Sequence, residues 1–152
     1  MFIGLLLFHS LLRWVLLLLL ITVIVKAFQG RSGGKKFESG DRKLSLFTMI
    51  TAHLQLILGG FLYVISPTVQ NALKDMGAAM KNGESRFWAV EHISLMVIAI
   101  AILTVGHIKA KKAVGDQAKF KAQALYFTIG LLLILISIPW PFREVGMGRG
   151  WF

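Results

Sequence analysis

The chain has 152 residues, of which 56% are hydrophobic, and a mean hydropathy of +0.70. It carries 17 Lys and Arg against 7 Asp and Glu, a net charge of +10, and no cysteine. This composition excludes an ordinary soluble domain, and the lack of thiols excludes disulfides, iron–sulfur clusters and thiolate-held metals. The basic residues fall between apolar runs, where membrane topology places them, so the charge reads as lipid-facing topology and not as nucleic-acid binding.

Four apolar runs follow one another in a single domain over 1–152, and their lengths predict an all-α, four-helix transmembrane bundle. The first, Ile3 to Val25, contains five consecutive leucines, Leu16 to Leu20. A signal peptide is the rival reading, but no Lys or Arg precedes the run and no small-x-small site follows before Lys26, so a retained helix is expected. The second run, Leu44 to Ser66, has Ser39 and Asp41 as cap candidates and Pro67 as its stop. The third is Trp88 to Ile108. The fourth, Ala122 to Ile138, ends at Pro139 and Pro141, which cannot continue the helical ladder. Between the second and third runs, Val69, Leu73, Met76 and Met80 predict a short helix over 69–80 lying on the bundle or the headgroups. Arg31-Ser32-Gly33-Gly34 and Ser39-Gly40 mark a flexible loop.

Basic residues set the expected orientation. The linker from Lys26 to Lys43 has six of them (Lys26, Arg31, Lys35, Lys36, Arg42, Lys43) and that from Lys109 to Lys121 has five. The opposite linker has three (Lys74, Lys81, Arg86) and the C-terminal tail two (Arg143, Arg149). The excess predicts both termini on the non-cytoplasmic side, with Trp88, Trp140 and Trp151 at the outer interface.

Ionisable side chains inside spans are functional candidates by default. At about 1.5 Å of rise per residue, His9 lies roughly 8–9 Å below the outer end of the first span and His92 roughly 6 Å below that of the third. Two imidazoles at one depth on different helices can supply both axial ligands of a b-type haem. The alternative is that each histidine hydrogen-bonds a neighbouring helix without any cofactor. His53 sits near the middle of the second span, and His107 is expected at the inner boundary beside Lys109 as an interfacial residue.

Arg13 follows His9 by one turn and shares its side of the helix, so a partner is required: Glu91 in an ion pair, or a haem propionate. Arg86 reads as a second propionate candidate or a solvated charge, and Glu91 as a proton acceptor at an outer quinol site. Gly60 lies on nearly the same face as His53, and with Gly59 allows a helix or a flat ring to approach. Met96, one turn below His92, reads as filling in preference to an axial ligand, and Gln55 as a cross-helix hydrogen bonder. No P-loop, GxGxxG, HExxH or GxSxG pattern is present, which argues against soluble-enzyme chemistry.

The stretches His9-Ser10-Leu11-Leu12-Arg13-Trp14, Thr51-Ala52-His53-Leu54-Gln55, Asp75-Met76-Gly77-Ala78-Ala79-Met80, Arg86-Phe87-Trp88-Ala89-Val90-Glu91-His92, Ile138-Pro139-Trp140-Pro141-Phe142-Arg143 and Gly148-Arg149-Gly150-Trp151-Phe152 resemble the small four-helix membrane proteins of Bacteroidetes-type bacteria labelled cytochrome b. The resemblance spans nearly the whole chain. It implies a multi-pass b-haem protein of the bacterial inner membrane and of respiratory type, with His9, His53 and His92 as the positions where a family ligand falls.

The combined expectation is a bundle that binds one haem b near its outer face and passes single electrons, an electron carrier or oxidoreductase subunit more than a stand-alone enzyme. His9 and His92 are the first choice of ligands, His53 the reserve, and Arg13 the propionate partner. A quinol, other membrane subunits or a second copy of the chain are the expected partners. The rivals are a cofactor-free accessory subunit docked on a larger membrane complex, and a small transporter or proton channel using Arg13, Glu91 and His53, the unbroken spans arguing against a transporter.

Overall fold

The computed structural model describes residues 2–146 and Trp151. Among these the secondary structure is helical. Four helical stretches are long and apolar enough to cross a membrane: α1 (Phe2–Ser32), α2 (Ser39–Ile65), the stretch Gly83–Lys112, and α7 (Asp116–Ser137). The two basic linkers lie together at one end of the bundle, called here the basic end. The start of α1 and the finish of α7 lie at the other, the terminal end.

The helices outrun the apolar windows because their last turns are polar but still helix-forming. α1 continues past Val25 to Ser32, and α2 begins at Ser39, not Leu44. At that start the Asp41 carboxylate accepts the Glu38 N–H at 3.0 Å, satisfying one of the orphan donors of a first turn. The same carboxylate meets Lys26 Nζ of α1 at 3.1 Å.

Past α2 the chain forms α3 (Pro67–Lys74), α4 (Met76–Lys81) and α5 (Gly83–Arg86). The single helix expected over 69–80 is therefore two. The break falls at Asp75, whose side chain turns from continuing α3 to capping α4 by accepting the Ala78 N–H at 2.9 Å. A π-helical turn over Phe87–Glu91 then leads into α6 (His92–Lys112), with the His92 N–H reaching back to the Phe87 carbonyl.

α1 packs on α2 and α7, and α6 packs on the same two, so α1 and α6 stand diagonally across the bundle. Leu20, Leu103 and Phe127 fill the interior of its middle and have no exposed surface. Gly130 lets α6 and α7 close up: a Cβ there would stand 2.5 Å from Leu103 Cδ2. Outward, Leu18, Phe61 and Ile136 are each 60% or more exposed, which is the pattern for helices solvated by lipid chains.

Candidate functional site

The terminal half of the interior is not filled by leucines. It encloses a cavity of about 340 Å³, within the range of small-molecule sites. All four long helical stretches line it, among them Leu6, His9 and Arg13 of α1, Gln55, Gly59 and Tyr63 of α2, Trp88, His92 and Met96 of the third stretch, and Ile134 of α7. The walls are mostly apolar, with a few polar groups set into them.

His9 and His92 thus reach one cavity from diagonally opposed helices. His92 is held by its Nδ1–H, which donates to the Ser137 carbonyl at 2.8 Å. That carbonyl belongs to the last turn of α7, which Pro139 prevents from being used by a further turn. A ring that donates from Nδ1 carries its lone pair on Nε2, the form in which imidazole ligates a metal, and a carbonyl behind the ring is the usual support of such a ligand.

His9 is placed differently. Its ring lies over the backbone of α2 at Gly59, where a Cβ would stand 3.1 Å from His9 Cε1. Its main-chain carbonyl accepts from Gln55 Nε2 at 2.8 Å, the cross-helix bond expected of that glutamine. Its Nδ1 is buried without a hydrogen-bond partner, and so are Gln55 Oε1 and Arg13 Nε. These three atoms sit on residues lining the one cavity, and buried polar atoms left unpaired are a recognised mark of a missing group.

Arg13 does not meet Glu91. Its Nη2 donates to the Trp151 carbonyl at 2.7 Å and its guanidinium lies 5.4 Å from the Trp14 ring centroid. Trp14 Nε1 donates to the same carbonyl at 3.1 Å, and the Trp14, Trp140 and Trp151 rings pack together, with centroids 6.2 to 6.5 Å apart. Glu91 pairs instead with Arg86 at 2.6 Å, and Arg86 also donates to the Met80 carbonyl, so Arg86 is a partly solvent-exposed charge that is also ion-paired. Of the tail motif Gly148–Phe152, only Trp151 lies within the described residues, and Arg149 lies outside them.

The other two histidines are elsewhere. His53 is absent from the cavity lining; its Nδ1 donates to the Met49 carbonyl of its own helix at 2.8 Å. His107 lies at the basic end, where its ring is buried between helices with its Nδ1 hydrogen-bonded to Ser45 Oγ at 2.9 Å. Gly60 meets nothing, and the glycine under a ring is Gly59, under His9 and not His53. Trp88 lines the cavity.

Three residues of the site carry no signal of their role in the sequence: Ser137, Tyr63 and the cavity-lining Ser10. Ser137 acts through its main-chain carbonyl, which no side-chain pattern announces. Tyr63 donates its hydroxyl to the Ala89 carbonyl in the π turn at 2.8 Å, bracing the segment that carries Trp88 and His92. π turns inside helices recur at functional sites.

Among the described residues no three His, Asp or Glu side chains gather as a polydentate metal site requires. A haem iron brings four ring nitrogens of its own and asks for two axial ligands. The donor set of His9, His92 and Arg13 in an apolar cavity is suited to that group. Comparison with protein-family models, with curated proteins and with solved structures found no match for the chain.

Proposed function

We propose that the cavity holds a haem b with His9 and His92 as axial ligands, and that the protein is an electron carrier, or the haem subunit of an oxidoreductase, in a bacterial inner membrane. One observation carries this reading: two imidazoles from diagonal helices line one apolar cavity, the first with an unpaired Nδ1 and the second with its Nδ1–H committed to the Ser137 carbonyl. The bound group would supply one-electron redox chemistry.

The residues of the chain divide the remaining tasks. The Ser137 carbonyl fixes the His92 tautomer and, by accepting its proton, raises the basicity of Nε2. Gly59 gives the His9 ring room against α2. Arg13 places a positive charge beside the cavity, poised for the carboxylates of a propionate-bearing ligand through the Nε that Trp151 leaves unused. Leu6, Met96 and Ile134 exclude water, which together with the guanidinium would set the potential.

With the basic end toward the cytoplasm, both termini and the cavity lie at the outer side. Electrons would then pass between a membrane quinol or a neighbouring subunit and an acceptor near that face.

The test is the absorption spectrum of the purified, haem-reconstituted protein. A reduced-minus-oxidised b-type band is expected, lost in both His9→Ala and His92→Ala and kept in His53→Ala and His107→Ala. A preparation that stays colourless through haem titration refutes the reading and leaves the cofactor-free accessory subunit. Loss of the band in His107→Ala alone overturns the ligand assignment.

A further inference from the structure

A second feature lies at the opposite end of the molecule and is independent of any haem. The two basic linkers do not hang apart. Gln117 Nε2, at the start of α7, donates to the Gly30 carbonyl of α1 at 3.2 Å, and Phe37 of the first linker packs edge-on against Phe120 with ring centroids 5.0 Å apart. Gly34 and Lys35 from one linker and Val114 to Ala118 from the other line a single shallow hollow.

This docking merges two charge clusters into one surface. Some of its cations are committed: Lys26 to Asp41 at 3.1 Å, Lys109 over the Tyr126 ring and Lys119 over the Phe37 ring. Arg31, Lys35, Lys36, Lys111, Lys112 and Lys121 are exposed and form no ion pair among the described residues. The acidic residues here are Glu38, Asp41 and Asp116, and the Asp41 carboxylate is already taken. Within the hollow stands Val114, 94% exposed, with Lys35 and Asp116 in the same lining and with Lys111 and Lys112 three and two residues before it in the chain.

Unpaired cations on two docked linkers that also expose an apolar residue, at the end of helices solvated by lipid chains, match an amphiphile with a negative head and an apolar tail. We propose that this surface is a binding site for anionic phospholipid, the headgroup held by Lys35, Lys36, Lys111 and Lys112 and the acyl region met by Val114. The proposal rests on the membrane placement of the four helices and on no property of the cavity.

The experiment uses the full chain in nanodiscs, where both leaflets have one composition and insertion direction drops out. Spin-labelled phosphatidylglycerol and phosphatidylcholine are compared by the fraction immobilised on the protein. Phosphatidylglycerol is expected to bind more strongly, by up to about fivefold for each cation engaged, and its advantage should disappear in 1 M salt. The advantage should also be lost in Lys35→Gln/Lys36→Gln/Lys111→Gln/Lys112→Gln and kept in Lys74→Gln/Lys81→Gln at the other end. Equal immobilisation of the two lipids by the unmodified protein overturns the proposal and leaves an acidic protein segment as the surface's partner. Selectivity that survives both high salt and the fourfold variant overturns it as well. Displacement of the lipid by millimolar glycerol phosphate would reassign the surface to a free phosphate ligand.

Discussion

Gly59→Ala tests the site at the contact that the fold and the ligand share. A Cβ at Gly59 would stand 3.1 Å from His9 Cε1, against 3.4 Å or more for an ordinary contact, so ring and helix must part by about 0.3 Å. α2 cannot yield easily, because Gln55, one turn away, holds the His9 carbonyl at 2.8 Å. The ring yields instead, since its Nδ1 has no hydrogen bond to resist rotation. Metal–ligand distances tolerate only about 0.2 Å, so the displacement should weaken iron ligation, and disturbed support of a ligating histidine typically costs about 10- to 100-fold in affinity. Gly60→Ala is the control, because a Cβ there meets nothing. Both changes gain helix propensity, up to about 1 kcal/mol in water, but Gly59→Ala alone bears the close contact, so Gly60→Ala should be the more thermally stable of the two. Haem titration followed by the absorbance of the low-spin form reads the difference. Equal affinity in Gly59→Ala and the unmodified protein, or a larger loss in Gly60→Ala, refutes the placement of His9.

Two further outcomes concern packing away from the cavity. Leu103→Ala removes a side chain with no exposed surface that fills the space over Gly130, and should lower unfolding stability in detergent by about 2.7–5 kcal/mol; combined with Gly130→Ala, which alone overpacks the same spot, it should cost less than the sum of the two, and strict additivity would show that the helices are not in contact there. Ser45→Ala deprives the buried His107 ring of the hydroxyl it meets and should cost about 1–3 kcal/mol, read as a lower midpoint in a denaturation series, with the haem spectrum unchanged.

The four spans were legible because an uncharged apolar run of membrane length has no comfortable place in water. Their ends were not, since the last turns of α1 and α6 are rich in Lys, Arg and Gln, residues that favour helix while lowering hydropathy. The depths of His9 and His92 followed from counting rise along two helices, and both residues do face one cavity. Which glycine served which histidine depended on the relative rotation of α1 and α2, and no single-helix pattern carries that. The same limit explains Arg13. Counting placed it near Glu91, but Arg86 lies five residues before Glu91 across the wide π turn and reaches it first, while the Trp151 carbonyl, 138 positions from Arg13 in sequence, takes the guanidinium. A main-chain partner at that separation leaves no trace in composition or period.

The position of the cavity along the bundle has a physical cause in α7. Pro139 stops that helix at Ser137, and the last carbonyls need donors that a further turn would have provided. Three side chains supply them: Trp140 Nε1 to Leu135 at 2.9 Å, Arg143 Nη1 to Ile136 at 2.6 Å, and His92 Nδ1 to Ser137 at 2.8 Å. Above this level the fourth corner of the bundle is closed by Ile138, Pro139 and the tryptophan cluster, without a helix whose side chains would project into the centre. Across from it, Gly59 contributes no side chain. A helix that ends early on one side and a residue without a side chain on the other leave a void between them, and the same ending that opens the void orients the imidazole on its wall. If His92 served only to cap α7, a glutamine could donate to Ser137 equally well; His92→Gln should then preserve both stability and spectrum. Retained stability with a lost b-type band would assign the ring its second task.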